Sequence, residues 1–149
     1  KLEGGKKIIN QIKILIKNRV PVMGHLGLLP QSVKGKFKSK GKNDKEIRQL
    51  INDAILLEKN GVFAIVLECV KAPIAKKISQ NLNIQTIGIG SSVHCDGQVL
   101  VTDDLLGLNE TKIKFVKKFL NLKKYINLGL KRFTFEVKKK KYPSKKYSY

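Results

Sequence analysis

Apolar and polar residues follow two different periods along the chain. The segment "KKIINQIKILIKN", residues 6–18, places Ile9, Ile12 and Ile16 on one helical face with lysines on the other. The segment "GVFAIVLECV", residues 61–70, is instead continuously apolar from Phe63 to Leu67. Such a run is typical of a strand buried on both faces in a parallel sheet. It ends on the carboxylate of Glu68, which is costly to bury unless another group pairs with it.

The two patterns recur and predict an alternating series of elements. The first part of the chain predicts a helix over 6–18, a strand from residue 20 that breaks at Gly24 into a loop, and a mobile lysine-rich loop over 34–45. A helix over 45–60 and a strand over 61–70 are expected next, followed by a helix over 71–83 and a strand over 84–90. The last predicted strand is short, follows Gly97 and ends in acidic residues. Asp44 is expected to cap the 45–60 helix and Gly61 to end it.

The rest of the chain predicts helices and a frayed end within a single domain, residues 1–149. Two amphipathic helices are expected between Thr111 and Lys141, followed by a frayed tail over 142–149. The residues expected to face inward are Phe115, Phe119, Leu122, Ile126, Leu130 and Phe133.

Alternating strands and helices indicate an α/β protein with a parallel sheet. Polar residues follow the predicted strands: Lys1 and Glu3, His25, Glu68, the glycine turn "GIGSS" at 88–92, and the pair Asp103 and Asp104. Polar groups at the carboxyl ends of parallel strands are typical of the active-site face of a (β/α)8 barrel. An open doubly wound sheet also binds ligands at that edge, so both architectures remain open at this point.

Each candidate residue has a functional and a structural interpretation. Lys1 and Glu3 point to the same side of a strand and either hold a metal or an anion or form a surface ion pair. His25, between glycines, is either a ligand or a hydrogen-bonded structural histidine. Desolvation is expected to raise the pKa of Glu68 towards that of a general base, and the alternative is a buried glutamate paired with a lysine. The "GIGSS" amides could bind an anion, although the turn matches no phosphate-binding fingerprint.

The charge of the chain is a weak guide to its function. The formal net charge is +20, but Arg19, Arg48 and Arg132 are the only arginines among 31 basic residues. A nucleic-acid surface usually combines arginine with stacking aromatics, so we expect no specific nucleic-acid partner. We find no apolar run of membrane-spanning length and no signal peptide, and we expect a cytoplasmic protein without a membrane partner. Cys69 and Cys95 form neither a disulfide framework nor a zinc motif.

Four segments taken together carry a family resemblance. "VPVMGHLGLLPQSV", "GVFAIVLECV", "IQTIGIGSSVHCDGQVLV" and "DLLG" resemble the ketopantoate hydroxymethyltransferase family, and the resemblance covers essentially the whole chain. It implies a (β/α)8 barrel of the phosphoenolpyruvate/pyruvate type, here lacking its first strands, and a homo-oligomer, usually a decamer. The implied reaction joins the one-carbon unit of 5,10-methylenetetrahydrofolate to C3 of 3-methyl-2-oxobutanoate, the first committed step of pantothenate synthesis.

The resemblance also implies roles for four residues. By position, Lys1 matches a lysine that contacts the keto acid, Glu3 a metal-associated glutamate, and Glu68 the proton acceptor. His25 matches a histidine near the site whose role is not fixed. The implied cofactor is Mg²⁺, which chelates the keto acid, but the two aspartates through which the family binds it belong upstream of Lys1. Glu3 alone cannot make a tight Mg²⁺ site, because that ion requires octahedral oxygen coordination.

Three departures from the family pattern lie in loops over the implied site. "GIGSS" replaces "GIGAG", Lys36 replaces a glycine, and Asp103 stands where histidine is common. They keep two alternatives open: a catalytically inactive remnant with a binding or structural role, and another 2-keto-acid lyase or mutase of the same barrel superfamily.

Overall fold

The computed structural model describes residues 1–32, 39–110 and 112–149. Residues 34–38 of the predicted mobile loop, including Lys36, lie outside the described residues, as does Thr111. The chain forms two compact units, residues 1–99 and residues 100–149. The expectation of a single domain stays a prediction.

The first unit contains the alternating elements that the sequence predicts. They are β1 (Leu2–Glu3), α1 (Ile9–Lys17), β2 (Met23–Gly27), α2 (Asp44–Lys59), β3 (Ala64–Glu68), α3 (Ala72–Asn81), β4 (Gln85–Ile89) and β5 (Gly97–Gln98). Short 3₁₀ turns at Lys6–Ile8 and Pro30–Ser32 connect some of them.

All five strands are parallel, and each pairs with its neighbour along the chain. The order is β1-β2-β3-β4-β5, without a reversal among the described strands. A doubly wound sheet reverses its strand order at a switch point, whereas a (β/α)8 barrel adds each strand beside the previous one. The order of the strands therefore fits part of a (β/α)8 barrel, as the sequence and its family resemblance predicted.

One face of the sheet forms the hydrophobic core with the helices. Leu26, Ile65 and Leu67 from the strands lie in one buried cluster with Ile12 of α1 and Leu57 of α2. Because side chains alternate along a strand, the neighbouring residues of β2 and β3 point to the opposite face of the sheet.

The apolar run of β3 is buried over most of its length, but not at its start. Ala64, Ile65, Val66 and Leu67 are all buried, as predicted. Phe63 is 51% exposed, so the prediction that the whole run is buried is wrong at its first residue. Phe63 precedes the strand, where its amide bonds the carbonyl of Val22 and its ring is left outside the sheet.

Gly24 does not break β2, which contradicts the sequence-based expectation. It lies inside the strand and pairs with Leu2 on one side and Ile65 on the other. A Cβ at this position would lie 3.0 Å from Leu57 Cδ1. The glycine therefore lets helix α2 approach the sheet closely, a packing role that a strand glycine can have without ending the strand.

The ends of α2 confirm one prediction and correct another. Asn43, not Asp44, is the N-cap, and its side chain accepts a hydrogen bond from the Glu46 amide. Asp44 is the first helical residue, where its charge is favourable near the helix N-terminus. Gly61 follows the helix with φ +85, the left-handed conformation expected of a C-terminal glycine.

The second unit places the acidic pair on a helix rather than at a strand end. It contains α4 (Thr102–Leu105), α5 (Leu122–Lys138) and a 3₁₀ turn at Lys145–Tyr147. Asp103 and Asp104 lie within α4, and Asp104 accepts a hydrogen bond from the Asn109 side chain. The strand before them is only Gly97–Gln98, so the prediction that these aspartates end a strand is wrong.

The tail forms one long helix, not two, and its apolar face is uncovered. No helix is present in the described residues between α4 and Asn121, so the first of the two predicted helices is wrong. Ile126, Leu130 and Phe133 are 46%, 59% and 54% exposed, which contradicts the prediction that they face inward. Helical periodicity identifies an apolar face but not the surface that covers it. Among the described residues, no helix combines the length and apolar character needed to cross a membrane.

Gly27, the last residue of β2, should tolerate no side chain. Its φ is +100, and a Cβ there would lie 2.1 Å from the Glu68 carbonyl oxygen. We expect Gly27→Ala to lower the free energy of unfolding of the natural protein by about 1–3 kcal/mol for the backbone conformation alone, with the steric clash adding to that loss.

Gly97→Ala is the matched control, because a Cβ at Gly97 meets only Ile87 Cγ1 at 3.9 Å. Urea unfolding measures both variants. Equal stability of the two would contradict the role of Gly27.

Candidate active site

The parallel register brings the predicted site residues to one face of the sheet. Glu3 of β1 pairs with His25 of β2, and Gly27 of β2 pairs with Glu68 of β3. Paired residues of parallel strands point to the same side, as do residues two apart on one strand. Lys1, Glu3, His25 and Glu68 therefore share one face of the sheet. Glu3 and Glu68 are the last residues of β1 and β3, whereas Lys1 precedes β1 and His25 is the middle residue of β2.

Distances confirm that these four side chains form one cluster. Lys1 Nζ lies 3.0 Å from His25 Nδ1 and 4.0 Å from Glu3 Oε1. Glu3 Oε1 is 3.5 Å from His25 Nδ1, and Glu68 Oε2 is 3.1 Å from His25 Nε2. His25 thus lies between the two carboxylates and is the member of the cluster that contacts all the others.

His25 is completely buried, and its imidazole is kept neutral by its surroundings. Its side chain is 0% exposed. Burial lowers the pKa of His25, and the Lys1 ammonium lowers it further, while the Glu3 carboxylate acts in the opposite direction. Nε2 makes no hydrogen bond among the described residues, although Glu68 Oε2 lies 3.1 Å from it, within ion-pair distance.

Glu68 has the environment that the apolar run before it predicts. Its side chain is 14% exposed. Burial raises the pKa of Glu68, the Lys1 ammonium lowers it, and the Glu3 carboxylate raises it, with a net rise. The side chain in contact with Glu68 is the imidazole of His25, at 3.1 Å, and no lysine among the described residues is within ion-pair distance of Glu68, so the alternative of a buried glutamate–lysine pair is not what they show. A carboxylate with a raised pKa is suited to accept a proton.

Cys69, which follows Glu68, holds a backbone conformation that the sequence does not reveal. Its φ is +53, in the left-handed region that residues other than glycine rarely adopt. Its amide bonds the Ile89 carbonyl at 2.9 Å, and its carbonyl accepts from the Lys40 amide at 2.8 Å. The Leu28 amide likewise bonds the Glu68 carbonyl at 2.8 Å. Neighbouring segments thus fix the backbone on both sides of the Glu68 side chain.

The two cysteines are free and buried. Burial raises the pKa of the Cys69 thiol, and the neighbouring Glu68 carboxylate raises it further. A thiol with a raised pKa stays protonated and is a poor nucleophile, so Cys69 contributes backbone geometry rather than reactivity to the site.

The "GIGSS" turn follows β4 and is held by local hydrogen bonds. Gly90 has φ +59, as a tight turn after a strand requires. The Ser91 hydroxyl donates to the Val70 carbonyl at 3.1 Å, and the Ser92 hydroxyl accepts from the His94 amide at 3.2 Å. Both serines that depart from the family pattern therefore support the turn itself.

A cavity of about 580 Å³ lies next to the cluster and shares Glu3 with it. Its other walls among the described residues come from the turn after β1, the end of β2, Leu29, Lys40 and helix α2. The volume is within the range of small-molecule sites in proteins. Of the four cluster residues only Glu3 lines the cavity, and the wall includes Leu26 from the face of the sheet that packs against the helices. The cavity therefore meets the cluster at Glu3 and does not enclose Glu68.

The described residues do not complete a magnesium site. No group of three or more His, Cys, Asp or Glu side chains in residues 1–32, 39–110 and 112–149 is placed to hold a metal ion. Glu3 offers one carboxylate, and its Oε2 accepts a long contact of 3.4 Å from the Gln31 amide. Mg²⁺ requires octahedral oxygen coordination, which a single carboxylate does not supply.

Comparison with known proteins agrees with the geometry. The model of the family described as ketopantoate hydroxymethyltransferase matches residues 1–145. The chain is 57% identical over 149 residues to the 3-methyl-2-oxobutanoate hydroxymethyltransferase of Pelagibacter ubique. It is 47% identical over 152 residues to the protein of that name from Clostridium botulinum, strain 657, and 49% identical over 146 residues to that of Kosmotoga olearia.

The alignments cover nearly all of this chain but only part of the relatives. They include 100% of the chain and 58% of the Pelagibacter protein, 100% and 55% for the Clostridium protein, and 96% and 55% for the Kosmotoga protein. The chain thus spans a little over half the length of the curated relatives that it matches. The matched region contains β1, β2 and β3, which carry Glu3, His25 and Glu68, and Lys1 immediately before β1. The chain therefore belongs to the ketopantoate hydroxymethyltransferase family.

Proposed function

We propose that the protein carrying this chain transfers a hydroxymethyl group from 5,10-methylenetetrahydrofolate to 3-methyl-2-oxobutanoate. The product is 2-dehydropantoate, and the reaction is the first step of pantothenate synthesis. Family membership supports the class of reaction. The observation that carries the proposal is the Glu68 carboxyl, whose pKa is raised by burial at the carboxyl end of β3, beside Lys1 and His25.

Glu68 acts as the general base in this proposal. The C3–H bond of the keto acid is acidified by the adjacent keto group, and Glu68 takes that proton, leaving the electron pair as an enolate. The enolate carbon then bonds to the methylene carbon of the folate, and the bond from that carbon to one folate nitrogen breaks, with its electron pair staying on the nitrogen. Water replaces the second folate nitrogen on the same carbon, which gives the hydroxymethyl group and releases tetrahydrofolate. Proton transfer is most effective when the pKa of the base approaches the working pH, which is the direction in which burial moves Glu68.

Lys1 neutralises negative charge on the keto acid. Its side chain is 46% exposed, so its ammonium reaches solvent on one side while Nζ holds His25 Nδ1 at 3.0 Å on the other. An ammonium group has three donors and can bind an anionic substrate while it keeps this contact. The attraction also places the substrate within the cluster that contains the base.

Magnesium enters the proposal only through Glu3. Glu3 would be one carboxylate ligand of a Mg²⁺ ion whose remaining carboxylates are not among the described residues of this chain. When bound, such an ion supplies Lewis-acid polarisation of a keto oxygen.

Glu68→Gln should abolish proton removal at C3. In the natural protein, we expect the rate of deuterium exchange at C3 of 3-methyl-2-oxobutanoate to fall at least about 100-fold, since the amide cannot accept the proton. Binding of the keto acid should persist, because glutamine has nearly the same shape. Exchange is followed by proton NMR in D₂O and binding by calorimetry.

Glu136→Gln is the control, because Glu136 lies on α5 and pairs with Arg132. Normal exchange in Glu68→Gln would exclude Glu68 as the base. Absence of exchange in the unaltered protein would favour an inactive remnant. Product formation without folate would favour a lyase or mutase.

The same substitution should stabilise the protein in a pH-dependent way. The pKa of Glu68 is raised in the folded state, so its ionisation costs folding free energy as the pH rises through that raised value. Below the ordinary pKa of glutamic acid, both states are protonated and the cost vanishes. We therefore expect Glu68→Gln to be more stable than the unaltered protein at neutral pH, with the difference shrinking as the pH falls towards 4.5.

Urea unfolding at a series of pH values measures this difference. The groups that also act on the Glu68 carboxyl are Lys1, Glu3 and His25, and they are unchanged in the variant. A stability difference that is constant with pH would show that Glu68 carries no electrostatic cost.

A further inference from the structure

His25 is the most buried polar group of the cluster, and the proposed reaction leaves it without a role. Its side chain is 0% exposed, its Nδ1 lies 3.0 Å from Lys1 Nζ, and its Nε2 lies 3.1 Å from Glu68 Oε2. A buried N–H group without a hydrogen-bond acceptor costs free energy. Which ring nitrogen carries the proton therefore determines which neighbouring side chain the ring can bond.

The contact with Lys1 determines which ring nitrogen carries the proton. An ammonium group only donates, so a nitrogen 3.0 Å from Lys1 Nζ must offer a lone pair. Nδ1 is therefore the acceptor, and the single proton of the neutral ring lies on Nε2. Two contacts of the ring compete with this arrangement. Nδ1–H could donate to Glu3 Oε1, but that distance is 3.5 Å, which is longer than an ordinary N–H···O hydrogen bond. The Leu28 carbonyl is a second acceptor near the ring, and like the Glu3 carboxylate it raises the pKa of His25.

We propose that His25 is a positioning residue that holds the Glu68 carboxylate through Nε2–H, in a tautomer fixed by Lys1. One carboxylate oxygen, Oε2, is held, and the other is left to meet the substrate. The inference rests on the proposed function only for the role of Glu68 as the base.

The proposed hydrogen bond requires the carboxylate to rotate. Nε2 and Oε2 are already 3.1 Å apart, but in the structure Nε2 makes no hydrogen bond. The last torsion of a glutamate side chain is soft, so the carboxylate can rotate at little cost. Hydrogen bonds of catalytic groups are often poorly aligned without substrate and tighten when it binds.

The arrangement joins substrate binding to the base through one ring. Lys1, at one nitrogen, binds the anionic keto acid in the proposed function, and Glu68 lies at the other nitrogen. The His25 ring is fully buried, so water does not compete for its nitrogens with Lys1 or with Glu68. The orientation of the base is thereby set by the same lysine that attracts the substrate.

Two amide substitutions separate the two ring nitrogens. The amide nitrogen of glutamine lies about where Nε2 lies in histidine, and that of asparagine about where Nδ1 lies. In the natural protein, we expect His25→Gln, which retains a donor near Glu68, to lose clearly less kcat for C3 deuterium exchange than His25→Asn. We expect His25→Asn to lower kcat about 10- to 100-fold, the loss of one hydrogen bond to a charged group, with little change in KM.

His94→Gln is the control, since His94 is the other histidine of the chain and its ring is exposed. Equal kcat in His25→Gln and His25→Asn would overturn the inference, as would a loss carried by KM instead of kcat. The second measurement needs no substitution at the site: long-range ¹H–¹⁵N correlation of the unaltered protein should show His25 protonated at Nε2 and not at Nδ1.

A proton on Nδ1 would overturn the inference even if the variants do not fold. Failure of the proposed function is distinguishable from this result. It would appear as absence of C3 exchange in the unaltered protein, while the nitrogen signals would still report the tautomer.

Discussion

The alignment of three parallel strands is the constraint on which the site depends. Glu3 pairs with His25, and Glu68 follows Val66, the partner of His25, by two residues. A shift of one residue in either pairing would turn one or more of these side chains to the face that carries the helices. The core side chains Leu26, Ile65 and Leu67 oppose such a shift, because they are buried only in this register. Packing of the core side chains on one face of the sheet thus fixes the positions of the site residues on the other face.

Much of the architecture follows from residue periodicity, and the errors concern contacts between elements. The strands, helices and their order were predictable from the sequence. A strand buried on both faces of a sheet is a continuous apolar run, whereas a helix buried on one face has apolar residues three or four positions apart. Gly24 was interpreted as a strand break because its packing against Leu57 is a tertiary contact. Asp44 was chosen over Asn43 because both residue types are good caps and lie next to each other. The prediction that the apolar face of α5 is buried was wrong, because helical periodicity does not identify the surface that would cover that face.

The members of the site were predictable, but their arrangement was not. Lys1, Glu3, His25 and Glu68 each follow or end a predicted strand, and parallel strands bring such residues to one edge. The burial of Glu68 followed from the five apolar residues before it. The central position of His25 did not, because it arises from distances across three strands. The left-handed conformation of Cys69 has no signal in the sequence, since cysteine is not a residue that favours it.

Each strand of the sheet pairs with its neighbour along the chain, and this has a consequence for how the sheet forms. Every pairing can be closed within a single strand–helix–strand or strand–loop–strand segment. The longest connection, residues 28–63, joins β2 to β3, but loop-closure entropy grows only slowly with loop length, so this length adds little to the cost of pairing the two strands. The four side chains of the site come from β1, β2, β3 and the residue before β1. Pairing of these three strands is therefore enough to bring them together.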